Sequence, residues 1–431
     1  MLWLALLLPG LPLEIHARST GADTPLAVAE ESGSGQKLIQ CDSRASALGV
    51  RPGMSAASAW GLCADLKILP RDSTAERNAL EHIAAWATQF TSKVSLAGHA
   101  ELLLEIGSSL NLFAGMDALL GRLQTGLREL GYEACHACAP TPLAAQWLAR
   151  SNTTERIILQ QQDIAGALEA LPITVMQLPA ASITALERFG IRTIGNCLQF
   201  PRDGLTHRIG PSVLDQLDRA SGQKADPRPL YVAPLTFSHK ITLPAPVMHA
   251  EALLFAARRL IAELCGHLSA TGQGAERLDF TLLHEHRQRT RFGLELVAAS
   301  RDADHLLTLL RERLSNLELP QPAIAIRLTC TRSQSLDPSS QPMLPDDCVQ
   351  SEAAIRLLEK LQTRLGSDAV RGLRQFADHR PERAWTSCPP ENDAAESIPN
   401  SSGLRPLWLL PQPQLLHEVF QKALFQDFRN F

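Results

Sequence analysis

Two carboxylates on an otherwise apolar strand constrain this chain more than any other feature. In Val94–Gly115 (VSLAGHAELLLEIGSSLNLFAG), period-two alternation puts Glu101, Leu103 and Glu105 on one face and Leu102, Leu104 and Ile106 on the other. A turn at Gly107-Ser108-Ser109 follows. Acidic side chains on a strand are what a metal-dependent phosphoryl-transfer site uses, so the chemistry depends on what accompanies Glu101. The apolar run Leu2–Leu8, stopped by Pro9 and Pro12, reads as a fully buried strand of the same sheet. An export signal is the alternative reading, although the run lacks a basic n-region and is too short to span a membrane.

With 431 residues the chain suits two to four domains. Hydrophobic residues make up 45% and charged residues 20%, which predicts folded domains rather than a disordered chain. A formal net charge of -4 gives no global basic signal, so nucleic-acid contact requires local patches. Nine scattered cysteines fit reduced thiols in a cytoplasm better than a disulfide framework. Cys135-His136-Ala137-Cys138 is the one tight cluster. It reads as buried thiols on a strand, with a metal or redox site as the alternative, because no second ligand pair follows.

In chain order, short strands at Pro25–Glu30, Lys37–Cys41 and Leu66–Leu69 alternate with helical pieces. A longer helix is predicted over Thr74–Gln89 from the spacing of Leu80, Ile83, Ala84 and Ala87. A helix over Met116–Leu130 closed by Gly131, a strand over Glu133–Ala139 and a helix opened by Pro142 complete an α+β domain over 1–165. Short helices fill 166–231. Gly190-Ile191-Arg192-Thr193-Ile194-Gly195 there reads either as a helix-hairpin-helix turn whose N–H groups face a phosphate or as an ordinary helical turn. The segment 232–332 follows a β-α-β-β-α-β order with a hairpin through Arg287-Gln288. It holds 12 Lys/Arg against 10 Asp/Glu. His284, His286, Arg287, Arg289 and Arg291 gather at the hairpin tip, and Lys240 and Arg327 could join one face; the reading is a DNA-binding patch or a solvated sheet face. The remainder, 333–431, is linker-rich. Ser333–Pro345 is a Ser/Pro/Gln linker, and Phe420, Leu424, Phe425 and Phe428 form an apolar stripe in the tail.

Particular segments carry a resemblance. The N-terminal apolar strand, GVRPGM at 49–54, LKILP at 66–70, ELLLEI at 101–106 and LRELG at 127–131 resemble the palm and fingers of Y-family DNA polymerases. The stretch with GIRTIG is similar to their thumb, and the β-α-β-β-α-β unit to their little finger. APTPLAAQWLAR at 139–150 and ADHRPERAW at 377–385 narrow this to the ImuB type, polymerase-like mutasome proteins. The expected architecture is therefore α+β multidomain: palm and fingers, small helical thumb, little finger, and a partly flexible C-terminal region.

In active Y-family enzymes the first strand carries an Asp and the later strand an Asp-Glu pair, together holding two metal ions. Here Leu2–Leu13 contains no carboxylate, and the pair falls on Ala100-Glu101. Glu105 lies about 13 Å along the strand from Glu101 and cannot replace the missing ligand. The family's aromatic gate has no counterpart, since no Phe or Tyr precedes Phe90. Its triphosphate-binding Arg falls on Ser46, with Arg44 out of place, and its phosphate-binding Lys on Gln146. The first glycine-rich thumb hairpin becomes LPAAS at 178–182.

The resemblance thus implies a protein without catalysis, metal or cofactor. Its expected role is as a cytoplasmic, DNA-binding adaptor in damage-induced (SOS) error-prone translesion synthesis. Implied partners are damaged primer–template DNA, the sliding clamp, an error-prone C-family polymerase and a RecA-like accessory protein, with no membrane. DNA contact is expected at Lys240, Arg287, Arg289, Arg291, Arg327, Gly190 and Gly195. A clamp-binding peptide of Gln-x-x-Leu-Phe character is read at Gln421, Leu424 and Phe425, with Gln334 and Leu336 as the alternative. Two further alternatives are a weakly active polymerase using Glu101 with Glu14 or Asp42, and a protein-only scaffold.

Overall fold

The computed structural model describes residues 1–17, 24–33, 35–151, 156–234, 236–285, 288–336, 346–366, 369–375 and 385–388. Two compact units divide the chain, Met1–Pro342 and Met343–Phe431.

The first unit opens with β1 (Trp3–Leu7), α1 (Leu11–Ala17), β2 (Leu26–Ser32) and β3 (Gly35–Cys41). Then come α2 (Ser43–Ala47), α3 (Ala56–Leu62), β4 (Lys67–Pro70) and α4 (Ser73–Ala87). β5 (Val94–Ala97), β6 (Glu101–Glu105), α5 (Met116–Glu129), β7 (Cys135–Ala139) and α6 (Pro142–Arg150) follow. The leading apolar run is indeed a buried strand. It lies inside a four-stranded sheet of order β5-β6-β1-β7, flanked on both sides by antiparallel partners. Leucines at 2, 4, 6 and 8 face α4 and α5, while Trp3 and Ala5 pack toward Trp147 on α6. Covered on both faces, such a strand has no polar side to show, which explains its unbroken hydrophobicity.

Three local features go beyond or against the sequence reading. Val94–Ala97 and Glu101–Glu105 are two strands of a hairpin rather than one, turning at Gly98 with φ +67. Gly98 supplies a left-handed residue that period-two reasoning does not anticipate. Second, LPLEIHA is a helix, α1, entered through Leu11 with Pro12 in its first turn, where a missing N–H costs nothing. Third, β2, β3 and β4 form a separate three-stranded sheet with its own small core around Ala27, Leu38 and Val50.

Helices α7 (Ile164–Glu169), α8 (Ala180–Arg188), α9 (Ile194–Gln199), α10 (Arg202–Ile209) and α11 (Pro211–Ser221) follow. Their core is continuous with that of the first sheet, from Trp3 and Trp147 through Leu186 and Ile194 to Val213 and Leu217. The expected division at residue 165 therefore crosses a packed interior.

The last part of the unit is β8 (Ser238–Val247), α12 (Leu253–Thr271), β9 (Gln273–His284), β10 (Arg289–Ser300), α13 (Ala303–Ser315) and β11 (Ala323–Ser335). This is the expected β-α-β-β-α-β order. Its strands form an antiparallel sheet of order β10-β9-β11-β8. One face, with Leu278, Phe280, Leu282, Ile326 and Leu328, is buried in the same core as Leu260 and Leu264 of α12 and Leu306 and Leu310 of α13. Among the described residues the other face lies outside this core.

In the second unit, α14 (Asp346–Leu365) precedes a two-stranded antiparallel pair, β12 (Gly372–Gln375) and β13 (Trp385–Cys388). Of the ADHRPERAW motif, only Trp385 lies within the described residues. Among the described residues no helix is long and apolar enough to cross a membrane.

Candidate nucleic-acid interface and a filled acidic site

Glu101 sits at the start of β6, opposite Leu7 of β1, and Leu7 in turn faces Cys135 of β7. It is 6% exposed. Helix α6 crosses this face. It is capped by Thr141 and opened by Pro142, and it aims two side chains one turn apart at the carboxylate. Arg150 donates from Nε to Oε1 at 2.6 Å and from Nη2 to Oε2 at 2.7 Å. Gln146 Nε2 donates to Oε2 at 2.7 Å. Arg150 is itself anchored by a 2.8 Å bond from Nη1 to the Val175 carbonyl. Both carboxylate oxygens are thus engaged in a bidentate, buried, charge-assisted pair.

The other acids are engaged as well. Glu105 accepts the Gly107 N–H at 3.1 Å, the Leu2 N–H at 3.4 Å and Lys93 Nζ at 3.4 Å, closing the turn after β6. Asp42 caps α2 by accepting the Ala45 N–H at 2.7 Å. Glu14 accepts the Glu133 N–H at 3.0 Å. A two-metal centre needs several convergent oxygens with free lone pairs. The residues around Glu101 do not fit one: Leu7 occupies the place opposite it, and a guanidinium occupies the place of the cation. Ser46 and Gln146, where the resemblance puts phosphate-binding cations, bond instead within the protein, Ser46 Oγ to Cys41 Sγ at 3.3 Å. Cys138 is buried, and burial pushes its thiol up to about 12, as befits a core residue.

The open face of the second sheet is built differently. Register places Arg291 of β10 beside Thr281 of β9, Thr281 beside Arg327 of β11, and Arg327 beside Lys240 of β8. Three cations therefore stand in one row across four strands, spanning about 14 Å at the usual interstrand spacing. All three are exposed, and none forms an ion pair among the described residues. Arg289, two residues before Arg291 on β10, is also exposed and extends the row. Farther along the face the cations are neutralised. Arg277 pairs with Asp279 at 3.3 Å and Glu295 at 2.7 Å, and Arg332 with Glu276 at 3.2 Å. The overall acid–base balance of this segment conceals that segregation.

Other expected site residues are placed elsewhere. His284 is buried, bonded through Nδ1 to the Pro322 carbonyl at 3.1 Å and through Nε2 to Thr290 Oγ1 at 2.8 Å, so it does not join the exposed cluster. His286 and Arg287 lie outside the described residues, as do Gln421, Leu424 and Phe425. Several N–H groups of the GIRTIG turn are committed within the protein. Gly190 donates to the Glu187 carbonyl at 2.9 Å, Ile191 to Leu186 at 3.0 Å and Ile194 to Leu171 at 2.8 Å. Gly190, at φ +77, closes α8 in the left-handed conformation. Gly195 is buried in α9, where an added Cβ would come within 2.9 Å of the Glu169 carbonyl oxygen. Helix closure and helix packing account for these two glycines, the ordinary-turn reading. Finally, the Ser333–Pro345 linker begins later than expected. Gln334 pairs with Gly274 within β11, and the half-buried Leu336 donates its N–H to the Gly272 carbonyl at 2.9 Å.

Sequence reasoning singled out Glu101 but not the side chains that bond it. Arg150 carries no sequence signal for its role beyond its i+4 spacing from Gln146 on a helix opened by Pro142.

Comparison with known proteins agrees with this layout. Residues 14–150 match the impB/mucB/samB family. Protein ImuB of Caulobacter vibrioides (strain NA1000 / CB15N) is 28% identical over 375 residues, covering 86% of this chain and 81% of that protein. DNA polymerase IV of Salmonella choleraesuis (strain SC-B67) is 27% identical over 192 residues, 44% of this chain and 54% of that polymerase. Among solved structures, the Y-family DNA polymerase chimera Dbh-Dpo4(243-245)-Dbh aligns with a TM-score of 0.45 at 16% identity, over 77% of this chain and 98% of that one. The chain thus carries an impB/mucB/samB-type domain at residues 14–150 and, over 86% of its length, resembles the Y-family polymerase-like proteins of the ImuB type.

Proposed function

We propose that the protein is a polymerase-like adaptor in the response to DNA damage. In this reading it grips primer–template DNA without catalysing synthesis and links the sliding clamp to an error-prone polymerase during translesion synthesis. One observation carries the reading: the last carboxylate at the metal-binding position, Glu101, is bonded by Arg150 and Gln146. A divalent cation at Glu101 would have to displace this guanidinium from both carboxylate oxygens and leave the part-buried Arg150 without its carboxylate. The retained sheet then serves as a frame for the cationic row at Arg291, Arg327 and Lys240. An open sheet bearing unpaired cations suits a phosphate backbone, whose recognition is electrostatic and independent of sequence.

The four-part division at 1–165, 166–231, 232–332 and 333–431, the cytoplasmic location, and partnership with a C-family polymerase and a RecA-like protein belong to the same proposal. All follow from similarity to the ImuB type. For the clamp, the Gln421/Leu424/Phe425 peptide is preferred, because Gln334 and Leu336 are already engaged at the end of β11. A peptide that must enter a partner's pocket cannot also complete a sheet.

Primer extension with Mg²⁺ or Mn²⁺ is the deciding experiment. The expected result is no nucleotide incorporation by the purified chain, with primer–template binding that weakens steeply as salt rises. Extension abolished by Glu101→Ala would overturn the proposal in favour of a weak polymerase, the reading that similarity to DNA polymerase IV favours. Absence of DNA binding at low salt would leave a protein scaffold.

A further inference from the structure

His82 on α4, His239 on β8 and Glu263 on α12 converge from three well-separated stretches of the chain. One ligand atom from each lies within 4.8 Å of the other two. The imidazole rings of His82 and His239 approach to a centroid distance of 3.6 Å. His239 Nδ1 and a Glu263 oxygen, Oε2, share a short hydrogen bond. The second oxygen, Oε1, accepts from Arg259 Nε at 3.0 Å, and Arg259 Nη2 is held by Tyr132 Oη at 2.6 Å. His82 Nδ1, by contrast, is buried with no hydrogen-bond partner. A buried polar atom left unsatisfied costs about 1–3 kcal/mol, so a native structure that keeps one invites a missing ligand.

We infer that these three side chains form a binding site for a borderline transition-metal ion, Zn²⁺ in the first instance. Two imidazoles and a carboxylate are the donor set such an ion prefers, whereas Mg²⁺ prefers oxygen ligands. Tetrahedral coordination at about 2.0–2.1 Å places ligand atoms about 3.3 Å apart, so rotations of roughly 1 Å close the site. The ion takes the place of the proton shared by His239 and Glu263. Arg259 orients the carboxylate through its other oxygen, as outer-shell partners do, while its charge, together with the open fourth position, limits affinity. Glu81 is the further charged group near His82 and favours a cation.

The site joins α4, which covers the first sheet, to β8 and α12 of the second. It is a different centre from Glu101, and its ion tightens the seam rather than activating a nucleophile. The sequence reading expects no metal anywhere in the chain, and this site departs from that expectation.

The full chain, stripped with chelator, is titrated with Zn²⁺ by calorimetry and with Co²⁺ by absorption. The expected result is one saturable equivalent per chain, a Co²⁺ spectrum free of thiolate charge-transfer bands, and a melting temperature raised by the ion. Losing a ligand in His82→Ala or His239→Ala weakens binding by more than the roughly 10–100-fold that outer-shell changes cost, while Cys135→Ser has no effect. No saturable equivalent up to millimolar free ion, a thiolate band, or undiminished binding in both His variants overturns the inference. Should either variant fail to fold, the wild-type stoichiometry and spectrum decide.

Discussion

Charge on the first sheet is buried and mutually satisfied, whereas one row of cations on the second is exposed and unmatched among the described residues. Glu101, 6% exposed, meets a guanidinium and an amide across α6. Arg291, Arg327 and Lys240 stand in register on a face that lies outside the second sheet's core. The same residue type thus plays opposite parts on the two sheets. An arginine next to a buried carboxylate closes that carboxylate to metal ions, while arginines on an open face remain available to phosphates. An acidic site is functional only when its lone pairs are free, and a basic patch only when its charges are.

The strongest way to break this comparison is to remove Arg150. Arg150→Ala leaves Glu101 buried and uncompensated, and urea unfolding is expected to register a loss of about 3–5 kcal/mol. Replacing the pair together, as Glu101→Met/Arg150→Met, should be near neutral or stabilising, because an apolar pair avoids the desolvation cost. A loss below about 1 kcal/mol for Arg150→Ala would place the pair with weak surface bridges and undo the account of a filled site.

On the second sheet the expected effect falls on binding rather than stability. Lys240→Ala/Arg291→Ala/Arg327→Ala should lower the slope of log affinity for duplex DNA against log salt by roughly 3, at about 0.9 for each phosphate no longer neutralised. Each single change should alter unfolding free energy by no more than about 0.5 kcal/mol. An unchanged salt slope in the triple variant removes this face from the interface.

The two glycines of the GIRTIG turn sharpen the contrast at smaller scale. Gly195→Ala forces a Cβ against the Glu169 carbonyl and should cost about 1–3 kcal/mol. Gly190→Ala, at φ +77, should cost about 1–2 kcal/mol. Neither should change the salt slope; a lowered slope in either would restore a phosphate role to the turn. The smallest effect concerns the dryness of the first sheet. Cys138, buried and pushed up to about 12, should resist alkylation at pH 8 until denaturant is added, which peptide mass mapping reads directly.

Much of the fold is legible in the amino-acid pattern itself. Period-two and period-3.6 patterns locate β1, β6, β7, α4, α5 and α6 to within a few residues, because each buries a continuous face. The errors fall where local signals compete. The β5–β6 turn hides behind a single left-handed Gly98, α1 begins with a proline that resembles a stop, and β11 runs into a Ser/Gln stretch that resembles a linker.

Sequence alone determined that β1 brings no carboxylate and that Ala100, not an acid, precedes Glu101, since composition at a position is local information. Only the tertiary structure decided what became of the survivor. Glu101 and Arg150 are 49 residues apart, and the cationic row joins residues on three separate strands whose register follows from the burial of Phe280, Ile326 and Leu328 beneath them. Pairing and segregation of charge are properties of which side chains meet. That is fixed by packing the apolar faces together, which no single stretch of the chain encodes.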